Sequence, residues 1–233
     1  MKFDILTIFP NIFGSYVSES ILWRAQKKKL IKIRTHNLRD AAKDRHKTID
    51  DKPYGGGPGM VMMVEPVYKT LKKIKKAKKS QVILLDPAGR QFSQKMAEKF
   101  SQLDQLIFIC GRYEGVDARV NKFIDQKISI GPYVLSGGEL PALTIVEAVT
   151  RLIPGVLGNK ESLLEETFSN NSFKIQSRGR GTKFKINYEY PQYTRPEIFA
   201  YQEKGKKKKL SVPRILLSGN HQVIGEWRRK HRK

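Results

Sequence analysis

A single cysteine, Cys110, stands in a chain of 233 residues. It excludes an internal disulfide framework and a cysteine-based zinc cluster, and it points to a reducing compartment. Histidine is nearly as scarce. His36, His46, His221 and His231 show no metal-ligand spacing, so solvated or hydrogen-bonded imidazoles are the simpler reading. No apolar run approaches the roughly 18 residues that span a bilayer. The N-terminal run carries Asp4 inside it and meets Pro10, which makes a poor signal peptide and a good first buried strand. A soluble, cytoplasmic protein with no membrane partner is the expectation. Acidic residues are few, 22 against 45 Lys and Arg, and the last aspartate is Asp125. Any carboxylate base in the C-terminal half is therefore a glutamate, with Glu139, Glu147, Glu161, Glu165 and Glu166 first in order. Several catalytic turns are missing too: no Gly-Lys-Ser/Thr phosphate loop, no Gly-x-Gly-x-x-Gly after a strand, and no Gly-x-Ser-x-Gly elbow.

What remains is strongly basic, with a formal net charge of +23. A polyanionic partner, above all nucleic acid, is the leading implication, although 30 of the basic residues are lysines that base bias alone can load onto a surface. The excess is uneven. Residues 172–233 hold 17 Lys or Arg against 4 Asp or Glu, whereas residues 1–171 hold 28 against 18.

Short apolar runs at 3–9, 82–85 and 106–110 predict strands buried on both faces, hence a parallel sheet covered by helices. Helical stretches at 66–79 and 93–102 alternate with them, the signature of an α/β domain. Leu143, Val146, Val149 and Ile153 predict a long helix, which Pro141 admits only in its first turn. It therefore begins near Glu139 and stops before Pro154-Gly155. Asn220 is placed to cap a last helix from His221. The expected organisation is an α/β cofactor-binding domain at 1–160, a mobile linker at 161–190, and a small, mostly helical, basic region at 191–233.

Glycine is concentrated in loops: Tyr54-Gly55-Gly56-Gly57-Pro58-Gly59-Met60, Gly111-Arg112-Tyr113-Glu114-Gly115, and Ser136-Gly137-Gly138. Loops at the carboxyl ends of parallel strands are where α/β domains bind ligands, and glycine lets a ligand approach the backbone. Each alone reads as a tight turn; three together favour a pocket. Cys110 ends a strand and reads as a small buried hydrophobe.

These loops, with Asp44-Arg45-His46-Lys47-Thr48, Arg151-Leu152-Ile153-Pro154-Gly155, Tyr193-Thr194-Arg195-Pro196 and Leu216-Leu217-Ser218-Gly219-Asn220-His221, closely resemble the bacterial tRNA (guanine-N1)-methyltransferase family. The resemblance implies a SPOUT-type parallel sheet with a deep trefoil knot, a homodimer, S-adenosylmethionine as methyl donor, and N1 of guanine 37 in tRNA as acceptor. It implies a cofactor pocket of Leu85, Pro87, Gly111, Tyr113, Gly115, Ile130, Gly131, Pro132, Tyr133, Val134, Leu135 and Gly138. Gly59, Glu114 and Arg195 are the implied contacts to tRNA. Arg151 matches the family's arginine for charge developing on O6. Glu166, in Glu166-Thr167-Phe168, stands where the family has an aspartate as base.

The pattern departs from the family in Pro132, which replaces an aspartate, and in an insertion of about fifteen residues within 169–186. The basic C-terminal region is expected to be reduced. No metal site is indicated, though the family's behaviour is compatible with Mg2+. Methylation of another RNA nucleotide, or RNA binding without catalysis, are the alternative functions.

Overall fold

The structure is a computed structural model that describes residues 1–158, 166–168, 173–177, 182–186 and 189–232. It divides into two compact units, Met1–Gly158 and Asn159–Lys233.

In the first unit, β1 (Lys2–Thr7) leads through a 3-10 turn at Pro10–Phe13 and the single-turn helix α1 (Gly14–Val17) into α2 (Ser20–Lys27) and β2 (Lys32–Asn37). The short strands β3 (Asp50–Asp51) and β4 (Val61–Met62) pair around the glycine-rich loop, and α3 (Val64–Lys73) follows. Next come β5 (Ser80–Gln91), α4 (Gln94–Ser101), β6 (Gln105–Cys110), β7 (Gln126–Ser129) and α5 (Glu139–Arg151). The five long strands form one parallel sheet in the order β2-β1-β6-β5-β7.

Every residue of β6 is buried, as its unbroken apolar sequence requires of a strand covered on both faces. Alternation along the strands divides the core. Phe3, Ile5, Leu106 and Phe108 join α2, α4 and α5 on one face, while Leu6, Ile107 and Ile109 join Val67 and Leu71 of α3 on the other. The expected helix at 66–79 is shorter, because Ile74 leaves the helical region and only lysines and one alanine follow before Ser80. The strand expected at 82–85 is longer, running through residues 86–91 beside β7. Helix α5 begins at Glu139 with Pro141 in its first turn.

The second unit contains two hairpins. In the first, β8 (Phe173–Ser177) pairs antiparallel with β9 (Thr182–Ile186). In the second, β10 (Ile198–Glu203) pairs with β11 (Lys206–Ser211). A 3-10 turn at Arg214–Leu217 and α6 (His221–Lys230) complete it, and the Asn220 side chain caps α6 by accepting from the N–H groups of Gln222 and Val223. Helix does not dominate residues 191–232 as the sequence suggests. Strand takes a comparable share, because the Ile198-Phe199-Ala200-Tyr201 run and the Lys204-Gly205 turn favour a hairpin. Glu161, Glu165, Arg178 and Arg180 lie outside the described residues.

Two buried polar groups make the sheet testable. Asp4 is 2% exposed; it accepts from Gln105 Nε2 at 2.7 Å and lies 2.7 Å from His36 Nε2. Burial pushes its carboxyl up, but the bonds to His36 and Gln105 outweigh burial and hold it below the ordinary 3.8. A depressed folded value gives stability that is complete above about pH 3.8 and lost as pH falls through that lower value. Asp4→Asn is therefore expected to destabilise by about 1–3 kcal/mol at neutral pH. In urea unfolding, the gap from wild type should close as the wild-type carboxyl protonates. Thr150 is fully buried, and its Oγ1 has no hydrogen-bond partner among the described residues. Thr150→Val should raise stability by about 1 kcal/mol in the same measurement.

Candidate active site

Strands β6 and β7 end at one edge of the sheet on either side of β5, and the loops that leave them, with the irregular middle of β5, enclose a cavity of about 280 Å³. Its walls are Leu84, Leu85, Asp86 and Pro87 from the middle of β5, residues 111–116 after β6, and residues 128–131 and 133–138 from the end of β7 to α5. Leu85, Pro87, Gly111, Tyr113, Glu114, Gly115, Ile130, Gly131, Tyr133, Val134, Leu135 and Gly138 thus share one cavity, whereas Pro132 does not line it.

The loops are fastened to one another by backbone and charge. Gly138 N–H donates to Gly111 O at 3.0 Å, and Arg112 bridges Gly137 antiparallel. Arg112 then closes a salt bridge to Glu139, with Nε and Nη2 each 3.0 Å from Oε2. The remaining oxygen, Oε1, accepts from Thr7 Oγ1 at 2.7 Å. Glu139 is only 2% exposed, so this carboxylate is committed on both oxygens. A side chain at Gly138 would place its Cβ 2.7 Å from Cys110 Cα, and one at Gly137 would run into Arg112 and Glu139. Close packing therefore demands both glycines.

The Gly55–Gly59 loop is held from the same side. Met62 N–H donates to Gly115 O at 2.9 Å and Glu114 N–H to Met60 O at 3.1 Å, while the Glu114 side chain lies directly over Gly59. Tyr113 turns the chain with φ +59° and Gly115 with φ +113°. Side chains around the opening are apolar and solvent-facing, with Tyr113 52%, Tyr133 53% and Val134 84% exposed.

Titratable groups here are mostly engaged. Asp86 binds Lys127 at 2.8 Å; burial pushes its carboxyl up, and the lysine and the Ala88 N–H more than offset that. Burial pushes the Cys110 thiol well up, and the Glu139 charge adds to it, which removes Cys110 as a nucleophile. Glu147 is bonded by the Tyr16 hydroxyl. Among the described residues no group of three His, Cys, Asp or Glu is placed to hold a metal ion, and no helix is long and apolar enough to cross a membrane.

Arg151 ends α5, half-buried, and lies outside the cavity lining. In the second unit, the backbone beside Glu166 is bracketed by Thr167 and Glu189. Thr167 N–H donates to Glu189 Oε1 at 3.2 Å, and Glu189 N–H donates to Thr167 Oγ1 at 3.3 Å. Arg195 lines a separate cavity of about 510 Å³ with Tyr193, Trp227 and Arg228. Tyr193 meets Trp227 edge-on, and the Arg228 guanidinium lies 4.9 Å from the Tyr190 ring. Sequence reasoning missed the partnership of Arg112 with Glu139 and Thr7. Arg112 and Glu139 stand inside glycine motifs, but their pairing requires two chain segments that only the folded sheet brings together.

A family model described as tRNA (Guanine-1)-methyltransferase TrmD matches residues 1–233. A tRNA (guanine-N(1)-)-methyltransferase of Dictyoglomus turgidum is 51% identical over 230 residues, covering 99% of this chain and 84% of the relative. A protein of the same name from Geotalea uraniireducens is 48% identical over 232 residues, 99% of this chain and 85% of its own length. The one from Carboxydothermus hydrogenoformans is 49% identical over 231 residues, 99% of this chain and 82% of its own.

The cavity depends on backbone contact at Gly138. Gly138→Ala should force β6 and α5 apart and destabilise the fold by about 1–3 kcal/mol in urea unfolding. Gly158→Ala, where an added Cβ meets nothing within 4 Å, should unfold as wild type.

Proposed function

This chain belongs to the tRNA (guanine-1)-methyltransferase family, and on that premise we propose that it transfers a methyl group from S-adenosylmethionine to N1 of guanine 37 in tRNA. The observation that carries the reading is a family match through the whole chain, together with a glycine-walled cavity at the carboxyl ends of β6 and β7 and the middle of β5.

The cavity suits the donor. Glycine at 111, 131 and 138 keeps the walls clear of side chains where an adenine and ribose would lie, and Tyr113 and Tyr133 offer ring surface. Leu85, Pro87, Ile130, Gly131 and residues 133–135 would hold it. When bound, the donor supplies an electrophilic methyl on a sulfonium.

The chain's own residues must manage a proton and a charge. Guanine N1 carries a proton at neutral pH and cannot attack until a base removes it. As that proton leaves, negative charge grows on O6, where a fixed guanidinium stabilises the transition state. We assign the guanidinium to Arg151 and the base to Glu166. The second choice rests on Glu166-Thr167-Phe168 standing where the family has an aspartate as base, fifteen residues after Arg151. Gly59 and Glu114, in contact with each other, are assigned to the target guanosine, and Arg195 to the tRNA backbone.

A trefoil knot belongs to the same reading. Its support is the path of residues 86–92 past β7, where Ile128 faces both Leu85 and Arg90 and Phe92 N–H bonds to Ser129 O at 2.7 Å. So does a homodimer, for which the exposed Phe9, Ile12, Tyr16 and Leu140 offer an association surface.

Incubating tRNA with the protein and S-adenosylmethionine should create a reverse-transcription stop at guanine 37. A stop elsewhere, or none, overturns the reading. Glu166→Gln should reduce single-turnover methylation by at least about a hundredfold while calorimetric cofactor binding stays unchanged. Methylation at the wild-type rate would remove Glu166 as the base.

A further inference from the structure

We propose that the β10–β11 hairpin is a docking platform for unpaired RNA nucleotides, its aromatic rings stacking on bases and its lysines meeting phosphates. This rests on the reading that tRNA is the substrate, and it assigns to one element a contact that the reading leaves open.

The antiparallel register sorts the side chains into two faces. Phe199 faces Leu210, Tyr201 faces Lys208 and Glu203 faces Lys206 on one side, while Ala200 with Lys209 and Gln202 with Lys207 occupy the other. On the first side the rings of Phe199 and Tyr201 stand nearly parallel, 8° apart in plane, with centroids 6.0 Å apart. Phe199 is 53% exposed and Leu210 59%. No third strand extends this sheet among the described residues. Apolar area of this size on a two-stranded ribbon signals a partner.

Charge selects the partner. All six residues of β11 are exposed, and the run Lys206-Lys207-Lys208-Lys209 follows Lys204 at the turn. Glu203 is bonded to Lys208, and among the described residues Lys206, Lys207 and Lys209 make no ion pair. A second copy of the hairpin would set lysine run against lysine run and is disfavoured. A partner with flat apolar faces joined by anions fits both features, and that is single-stranded nucleic acid. Duplex stems keep their base faces stacked inside and offer only phosphate, so the rings select loops or ends.

Full-length protein provides the test, with Phe199→Leu/Tyr201→Leu removing the rings but keeping apolar strand residues, and K206Q/K207Q/K209Q removing charge. Binding is measured to tRNA transcript, to a short single-stranded RNA and to an RNA duplex, across a salt series. The ring variant should bind tRNA and the single strand about tenfold more weakly with an unchanged salt slope, and should bind duplex as wild type. The lysine variant should flatten the salt slope on all three RNAs. Ultraviolet crosslinking mapped by mass spectrometry should place Phe199 or Tyr201 on a nucleotide of a tRNA loop. Wild-type affinity of the ring variant for the single strand, or a ring variant that loses dimer by sedimentation and keeps RNA affinity, overturns the platform. If wild-type protein places no methyl on tRNA, the functional reading has failed instead; methylation with an inert hairpin sinks this proposal alone.

Discussion

The salt bridge between Arg112 and Glu139 is the contact on which the cavity depends. It joins the loop after β6 to the first turn of α5, segments separated in sequence by a whole strand and two loops. Thr7 at the end of β1 completes it, so three chain segments converge on one carboxylate. Taking two charges out of water costs about as much as their attraction returns, and a buried pair of this kind adds little net stability. Its contribution is register: the 136–138 loop has one place to lie against residues 111–112, because only there does Glu139 meet Arg112. The glycines follow from that choice, since the guanidinium and carboxylate occupy the space that a side chain at 137 would need.

Beneath the loops, a parallel sheet makes the convergence unavoidable. With β6 and β7 parallel on either side of β5, their carboxyl ends fall on the same edge and their connections must leave from there, over the irregular stretch of β5 between Leu85 and Arg90. Burial of β6 on both faces fixes that edge firmly, because sliding the strand by one residue would exchange Phe108 with Ile107 and Ile109 between two differently shaped cores. The rigid element is thus the sheet, and the cavity is assembled from loops anchored at one end each.

How much of this was legible in the sequence varies with the range of the interaction. Local rules read well: Pro141 and the apolar spacing located α5, and Asn220 announced α6. Apolar runs revealed β1 and β6 because strands buried on both faces need no alternation to be recognised. Where several forces compete, local reading stopped short. Residues 86–91 contain Asp, Pro, Gly and Arg, and nothing in that composition suggests a strand; it is held by pairing with β7. Four lysines at 206–209 resemble a solvated helical face, yet they form a strand because Ile198, Phe199 and Tyr201 lie across the turn. The glycine motifs marked the cavity walls, while the Arg112–Glu139 pairing was invisible, since each residue looks locally like a surface charge.

The same division between local and assembled features runs through the chemistry. A cavity whose acidic groups were unpaired would attract a cationic donor strongly but would also bind protons and other cations. Here Asp86 and Glu139 are matched to Lys127 and Arg112, which leaves Glu114, lying over Gly59, as the wall carboxylate with no ion pair among the described residues. The charges of these pairs balance, while the basic excess is concentrated in residues 172–233, which hold 17 Lys or Arg against 4 Asp or Glu. On the proposed function, donor and nucleic acid would therefore be held by different physics, apolar and dipolar contact for one and counterion release for the other, so salt should tune the second while leaving the first nearly constant.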